Sequence, residues 1–377
     1  MKLLHTADWH VGKSLQGRTR TDEYENVLAE ITRIADAEKV DAILVAGDLF
    51  DSASPSPEAE RIVFRALLDL RDVAPVVVIP GNHDNGRRLL AFAPVFEHAG
   101  VIVRAGVSRD PILVETGGGP LRIAAVPWLS QRYITKAADV MAKDADDLTG
   151  QYGERMRSVV NTLTEGFADD AVNVVLGHMT IVGGEMGGGE RTAQTIFDYY
   201  VSATIFPANA HYAALGHLHK AQRMPGPCPI WYCGSPLHLD FSDADDSKAA
   251  LVVEAKAGTP ATVTPVDLTS GRRLRTVRGT LDQLATLGDQ GDDFLRVFVQ
   301  EQARVGLGDE VRQLFPNAVK IVVDSEITAD DSPRIDRSQA SPHELFEEYL
   351  GSKGISDERL LKAFDELLEE AHASDQA

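Results

Sequence analysis

The chain has 377 residues, of which 44% are hydrophobic and 25% are charged, and its formal net charge is −20. This composition excludes an intrinsically disordered chain, and the length suits a large domain followed by a smaller one. Because the negative charge weakens non-specific attraction to nucleic acid, any contact with phosphate has to come from local groups.

The cysteine content and the apolar runs indicate a compartment. Cys228 and Cys233 are too few for a disulfide framework and lack partner ligands for zinc, so a reduced compartment fits. No apolar run reaches transmembrane length, and the chain enters its first strand at once, which leaves no room for a signal peptide. We therefore expect a soluble cytoplasmic protein without a membrane segment.

The first 268 residues alternate predicted strands with predicted helices, as α/β proteins do. Apolar and β-branched runs predict strands at residues 2–6, 42–46, 76–79, 172–176, 212–215, 251–254 and 261–266. Apolar residues at helical spacing predict helices at residues 24–38, 57–70 and 154–167. Ser56 and Pro57 fit the cap and the first residue of the second helix. The two late strands suggest a second sheet beside the first.

Residues 271–324 have a different character, which predicts a small β-α-β-α-β unit without catalytic residues of its own. Its predicted elements are a strand at 274–277, a helix at 281–287, a strand at 294–299, a helix at 307–315 and a strand at 318–323. We interpret this unit as a capping domain.

The C-terminal part predicts a linker and a pair of amphipathic helices. Residues 325–341 are polar and acidic and contain proline, which is typical of a linker. Residues 342–371 predict two helices with apolar stripes: Leu345, Phe346, Tyr349 and Leu350, then Leu360, Leu361, Phe364, Leu367 and Leu368. Such a pair either folds back on its own domain or lies in the groove of a partner.

Five short polar segments each follow a predicted strand. They are Asp8-Trp9-His10, Gly47-Asp48, Gly81-Asn82-His83-Asp84, Gly177-His178 and Gly216-His217-Leu218-His219. Because the carboxyl ends of the strands of an α/β protein line one crevice, these loops are expected to meet there. Their oxygen and imidazole donors suffice for two metal ions that share a carboxylate.

The five segments resemble the calcineurin-like metallophosphoesterases, whose pattern is D-x-H, G-D, G-N-H-D/E, G-H and G-H-x-H. Within that superfamily the chain is similar to the SbcD family, the nuclease subunits of bacterial SbcCD DNA-repair complexes. This similarity lies in residues 3–10, 46–51, 215–220 and 232–236. It implies a layered α/β/β/α sandwich in residues 1–268, with a small α+β capping domain and C-terminal helices.

The resemblance also implies how the site is divided. One metal ion would take Asp8, His10, Asp48 and His219, and the other Asp48, Asn82, His178 and His217, with Asp48 as the bridge. His83 would protonate the leaving oxygen or stabilise charge on the phosphorus, and Asp84 would orient His83. Two manganese ions fit the mixed donor set, with magnesium, iron and zinc as alternatives.

The function implied is a manganese-dependent DNA nuclease, a 3′-to-5′ exonuclease on duplex ends and an endonuclease on single strands and hairpins. An SbcC-type ATPase would be the partner of residues 342–371, and a homodimer paired near residues 61–70 and 87–98 would form a heterotetramer with it. The protein would be associated with the nucleoid. The alternatives are a small-molecule phosphodiesterase or phosphoprotein phosphatase, and a non-catalytic clamp for DNA ends.

Several other polar residues have a structural interpretation beside a functional one. We interpret His5, His98 and His211 as structural, and leave His238 open to a contact with phosphate. The glycine-rich residues 183–189 predict a loop near the site, and no role is transferred to Asp51, where some relatives have histidine. Four arginines are expected to lie in loops after ligand segments and are either phosphate contacts or solvated surface: Arg18, Arg20, Arg87 and Arg88.

Overall fold

The computed structural model describes residues 1–130, 152–190, 199–288 and 290–323, together with residues 346, 349–350, 359–365 and 367. The strands are β1 Lys2–Thr6, β2 Ala42–Ala46, β3 Val76–Ile79, β4 Val101–Val103, β5 Ile112–Thr116, β6 Gly119–Val126, β7 Val172–His178, β8 Thr180–Ile181, β9 Tyr200–Val201, β10 Tyr212–Gly216, β11 Gln222–Met224, β12 Ile230–Tyr232, β13 Ala249–Lys256, β14 Thr259–Asp267, β15 Leu274–Gly279, β16 Phe294–Val299 and β17 Ala318–Val323. The α-helices are α1 Thr21–Glu38, α2 Pro57–Val73, α3 Gly86–His98, α4 Tyr152–Thr164, α5 Leu281–Ala285 and α6 Leu307–Leu314.

Two six-stranded sheets form the centre of the large domain. The first has the order β14-β13-β1-β2-β3-β4, and the second has the order β11-β12-β10-β7-β6-β5. Strands β1 to β4 run parallel, as do β6, β7, β10 and β12, so their carboxyl ends lie along one edge of each sheet. The sequence had suggested that the late strands β13 and β14 form a second sheet. They instead extend the first sheet as antiparallel strands.

The two sheets pack face to face, and helices cover both outer faces. Leu44 and Val77 of the first sheet share a buried cluster with Val174 and Leu176 of the second. The outer face of the first sheet packs against α1, α2 and α3, and that of the second packs against α4. Strands buried on both faces explain the continuous apolar runs of the sequence. The predicted α/β/β/α layering is therefore confirmed.

Helix α2 begins where the sequence placed a capping group, and two other helices differ slightly in extent from the prediction. The Ser56 hydroxyl accepts a hydrogen bond from the Ala59 amide at 3.2 Å, and Pro57 starts α2. Helix α1 starts at Thr21, three residues before the predicted start, and α5 ends at Ala285, two residues before the predicted end. Arg87 and Arg88 lie in the first turn of α3, so the expectation that they lie in a loop was wrong.

Residues 274–323 form the predicted β-α-β-α-β unit. Its three strands pair in parallel in the order β15-β16-β17, and Val297 of the central strand packs with Leu284 of α5 and Val311 of α6. The other face of this sheet contacts the large domain through Leu274 and Phe294, which pack with Leu15 and Phe241. The small sheet thus lies against the loops that follow β1 and β12.

The predicted linker at 325–341 and most of the predicted helix pair at 342–371 lie outside the described residues. Of the residues described there, Phe346 stacks on Phe364 with ring centroids 4.1 Å apart, so the two predicted helices contact each other at this point. In the described part of the chain, no helix has the length and apolar character needed to cross a bilayer.

Candidate metal centre

The ligand candidates from both central sheets converge at the carboxyl ends of their strands. The buried set, none of it more than 9% exposed, is Asp8, His10, Asp48, Asn82, His178, His217 and His219. Two hydrogen bonds join the first loops, from the Asp8 amide to the Gly47 carbonyl at 2.9 Å and from the His10 amide to the Asp48 carbonyl at 3.0 Å. The structure therefore brings together all seven residues that the resemblance implied as metal ligands.

Four of these residues have positive φ angles, which L-amino acids seldom adopt. The φ angles are 53° at Asp8, 47° at His10, 51° at Asp48 and 106° at His217. Such a conformation costs about 1–2 kcal/mol per residue, and it persists only where the surroundings fix it. Strain of this kind is typical of functional sites, and here it turns each side chain toward the same space.

The first cluster consists of Asp8, His10 and His219. One ligand atom of each lies within 4.8 Å of the others, and the Nε2 atoms of His10 and His219 are 3.0 Å apart. Two ligands on one cation, at bond lengths of about 2.0–2.2 Å, are separated by roughly 2.9–3.5 Å. The ring of His219 donates its Nδ1–H to the Gly188 carbonyl at 2.8 Å, which leaves Nε2 without a proton and able to bind a metal.

The second cluster consists of Asp48, Asn82, His178 and His217. The Asn82 side-chain oxygen lies 2.9 Å from His178 Nε2 and 2.8 Å from His217 Nδ1. His178 donates its Nδ1–H to the Ala46 carbonyl at 2.7 Å, which again directs Nε2 into the site. These separations are those of ligands around a shared cation.

Asp48 lies between the two clusters. Its Oδ2 is 3.5 Å from His10 Nε2 and 3.5 Å from His178 Nε2, and its Oδ1 accepts a hydrogen bond from the His83 amide at 2.8 Å. A carboxylate equidistant from two ligand sets is suited to bridge two cations about 3.5–4 Å apart. The residues present thus fit a pair of divalent ions.

Electrostatics in the metal-free centre point the same way. Burial lowers the pKa of His10 and of His217, so both rings are neutral, as metal ligands must be. Burial opposes charge on His178 as well, but the carboxylates of Asp48 and Asp8 outweigh it and raise its pKa to about 9. The carboxylates at this centre therefore favour a positive charge beside them.

His83 and Asp84 are both buried at the site, and the contacts described for their side chains are with the backbone. The Nδ1 atom of His83 lies 2.9 Å from the Asp51 carbonyl. The Asp84 carboxylate accepts hydrogen bonds from the amides of Leu49, Phe50 and Gly81 at 2.9–3.2 Å. The Asp84 side chain thus joins two ligand loops, and orientation of the His83 ring by Asp84 stays a prediction.

Two residues at the site were not found from the sequence. Glu190 has a side chain that is 3% exposed and accepts a hydrogen bond from the His219 amide at 3.0 Å. Trp128 stacks on the ring of His217 with centroids 5.0 Å apart and meets His178 edge-on. The only sequence signals were a glutamate that closes a glycine-rich run and a tryptophan just after β6.

The structural histidines have the contacts expected of them. His5 is fully buried and its Nδ1 lies 2.8 Å from the Tyr212 hydroxyl. The two ring nitrogens of His211 each lie 2.9 Å from a backbone amide nitrogen, Nδ1 from that of Asn173 and Nε2 from that of Gly258. His98 is exposed on α3. His238, which had been left open, places Nε2 3.0 Å from the Asp246 carbonyl.

The remaining expectations concern a loop and the arginines. The glycine-rich loop does lie at the site, since Gly188 accepts the ring proton of His219. Arg20 is no phosphate contact, because it is buried and pairs with Glu23 at 2.8 Å. Arg88 pairs with Glu60 at 2.8 Å, and Arg18 donates to the Pro316 carbonyl at 2.9 Å.

A four-layered sandwich with two carboxylate and imidazole clusters at its strand ends defines the class of metal-dependent phosphoesterases. The family model described as calcineurin-like phosphoesterase matches residues 1–221, and the chain belongs to this family. It also belongs, within that superfamily, to the SbcD family. It is 33% identical over 385 residues to the SbcD component of the SbcCD nuclease of Bacillus subtilis (strain 168), and the match covers 97% of each chain. It is 33% identical over 279 residues to the protein of the same name from Rhodobacter capsulatus, covering 68% of this chain and 67% of that one.

Two solved structures have a partial similarity to the chain. One is a protein from Thermus thermophilus, 14% identical with a TM-score of 0.41, which covers 71% of this chain and 99% of its own. The other is a dimetal phosphatase from Danio rerio, 11% identical with a TM-score of 0.42, which covers 71% of this chain and 98% of its own.

Family membership and the donor set together make the centre a divalent-metal site of a hydrolase.

Proposed function

We propose that this chain is the nuclease subunit of an SbcCD-type complex, a two-metal phosphodiesterase that cleaves DNA. The observation that carries the proposal is Asp48 lying between two ligand clusters, with His83 beside them. The two curated relatives are both named as components of the SbcCD nuclease, and these names support DNA as the substrate. The activities proposed are 3′-to-5′ exonuclease on duplex ends and endonuclease on single strands and hairpins.

Two divalent ions, with manganese proposed on the mixed donor set, would activate water and offset the charge of the phosphodiester. The protein holds the ligands in a buried, strained frame, so little reorganisation is needed when the substrate binds. His83 is proposed to act on the leaving oxygen. Its Nδ1 proton is held by the Asp51 carbonyl at 2.9 Å, so a proton would pass through Nε2.

The assembly proposed is a homodimer joined to an SbcC-type ATPase as a heterotetramer in the cytoplasm, at the nucleoid. Exposed apolar side chains on α2 and α3 support the dimer: Leu68 at 39%, Leu90 at 58% and Val95 at 69%. The predicted C-terminal helices have exposed apolar side chains at Tyr349 and Leu367, which supports docking to the ATPase. We also propose the domain division at residues 268–271 and 324–325.

The test compares His83→Gln with His98→Gln, a matched change at an exposed position of α3. Both proteins are assayed on an end-labelled hairpin duplex with manganese, magnesium or chelator, with and without the ATPase subunit and ATP. Loss of acid–base assistance is expected to slow cleavage by about 10²–10⁴-fold in His83→Gln. His98→Gln is expected to cut like the wild type, and both variants to retain two metal ions.

The alternatives give different results in the same assay. A His83→Gln protein that cuts DNA at the wild-type rate would exclude the proposed role of His83. Turnover of a small phosphodiester or a phosphopeptide that far exceeds turnover of DNA would favour the small-substrate enzyme. A wild-type protein that binds DNA ends and cleaves nothing, although it is loaded with manganese, would favour the non-catalytic clamp.

A further inference from the structure

Glu190 is a buried carboxylate that the ligand set of the metal centre does not include. Its Oε1 accepts hydrogen bonds from the Gly187 amide at 2.8 Å and from the His219 amide at 3.0 Å. Its Oε2 accepts one from the Gly188 amide at 2.7 Å. One side chain, 3% exposed, thus joins the glycine-rich loop to the backbone of a metal ligand.

The same loop also holds the ring of that ligand. The Gly188 carbonyl accepts the Nδ1–H of His219 at 2.8 Å, next to the amide that Glu190 binds. Glu190 therefore fixes the backbone of His219 directly and fixes its ring through Gly188. The ring contact sets the tautomer in which Nε2 faces His10.

The loop lies so close to His219 that it has little freedom of its own. A Cβ added at Gly187 would lie 2.7 Å from the Lys220 amide nitrogen and 2.8 Å from the His219 carbonyl carbon. On the opposite side, the His219 carbonyl accepts from the Ser235 amide at 3.1 Å and from Lys248 Nζ at 3.4 Å. With that side held separately, the hydrogen bonds of Glu190 decide where the loop, and with it the imidazole, sits.

We propose that Glu190 is a positioning residue for one of the two metal ions, the one held by Asp8, His10 and His219. The cluster of Asn82, His178 and His217 has its own contacts, because His178 donates to the Ala46 carbonyl and not to this loop. Loss of Glu190 therefore weakens one site and spares the other. The inference rests on the two-metal centre of the proposed function but not on DNA as the substrate.

The test is Glu190→Gln, which keeps the size of the side chain but removes its charge and replaces one acceptor oxygen with an amide donor. The matched control is Glu185→Gln, the same change in the same loop, where the side chain is 69% exposed and contacts Lys220. Metal-free full-length proteins are titrated with manganese by calorimetry, and electron paramagnetic resonance reports the coupling between two bound ions.

Wild-type protein and Glu185→Gln are expected to bind two ions and to show the spectrum of a coupled pair. Glu190→Gln is expected to bind one ion normally and the second about 10–100-fold more weakly, as is typical when a partner that orients a ligand is lost. Its spectrum at low manganese is that of a single ion, and excess manganese restores the coupled spectrum. Restoration by metal shows that the fold is intact, which a general structural defect would not allow.

Unchanged affinity at both sites of Glu190→Gln would overturn the proposal, and so would an equal loss at both. If Glu190→Gln does not fold, Glu190→Asp provides the second measurement, since it keeps the charge but has a shorter reach. It must weaken the same single site, and wild-type binding of both ions by Glu190→Asp would also overturn the proposal. None of these outcomes depends on cleavage of DNA, so a failure of the nuclease assignment remains distinguishable.

Discussion

The Gly47→Ala substitution tests how closely the ligand loops must approach one another. Gly47 directly follows β2 with a φ of 90°. A Cβ added there would lie 2.5 Å from His178 Nδ1 and 2.7 Å from the Gly81 amide nitrogen. Since ordinary van der Waals contact to a Cβ begins at 3.4 Å, either the metal ligand His178 or the loop that follows β3 has to move.

The size of the effect follows from two separable costs. A left-handed backbone costs a residue with a Cβ about 1–2 kcal/mol, and overpacking adds about 1–3 kcal/mol. We therefore expect Gly47→Ala to lower the free energy of unfolding by roughly 2–5 kcal/mol. Gly119→Ala is the matched control, because Gly119 has a φ of 107° but nothing within 4 Å of an added Cβ. Gly119→Ala should therefore lower the free energy of unfolding only by the backbone cost, about 1–2 kcal/mol.

The assay is urea unfolding of the metal-free proteins, followed by titration with manganese. Gly47→Ala should lose about 1–3 kcal/mol more than Gly119→Ala, and it alone should bind manganese more weakly because His178 is displaced. Equal losses of stability in the two variants, combined with unaltered metal binding, would refute the view that crowding at Gly47 sets the position of His178.

Two further predictions concern buried charge. Burial lowers the pKa of His5 to about 3, whereas an unfolded histidine titrates near 6.5. Between these values the unfolded chain binds the extra proton, so stability falls as pH falls. We expect the free energy of unfolding, measured with chelator present, to fall between pH 7.5 and pH 5.0 by about 2 kcal/mol less in His5→Gln than in the wild type. An equal decrease in the two proteins would contradict this. Lys248→Met should lower the free energy of unfolding by about 3–5 kcal/mol, because it removes the cationic partner of the fully buried Asp243 carboxylate, 2.9 Å away. Removing the exposed Arg65, which pairs with Asp69, should cost under about 1 kcal/mol, and similar losses in the two variants would refute this reasoning.

The frame of the site was predictable because its signals are local. Strands β1, β2 and β3 have the bounds predicted from the sequence, since each is a buried apolar run that ends at a polar segment. Parallel strands bring their carboxyl ends together, so the seven ligand candidates meet without any further information from the sequence. The sequence therefore predicted which five segments meet at the centre, and the family resemblance implied which of their residues are ligands.

The hydrogen bonds around the ligands were not predictable, because they depend on distances between loops that the sequence does not encode locally. Asp84 stands beside His83 in the chain, yet its acceptors face amides 34 and 35 residues away. Glu190 reaches an amide 29 residues away, and nothing at its position in the sequence marks it as buried. The sequence left a contact between Arg20 and phosphate as one interpretation, but Arg20 forms an ion pair with Glu23, three residues later.

A single pattern connects these contacts, in which a carboxylate of one loop accepts a backbone amide of another. Asp8 accepts from the His217 amide and Asp48 from the His83 amide, so metal ligands themselves join the loops. Asp84 and Glu190 bind no metal in the proposed set and extend the same pattern around the centre. Amide donors satisfy part of each carboxylate, and the remaining negative charge faces the metal positions. The same carboxylates thus join the loops and face the positions where cations would bind. Local carboxylates at the strand ends are enough to attract metal cations. The overall charge of −20 therefore does not by itself argue against action on phosphodiesters.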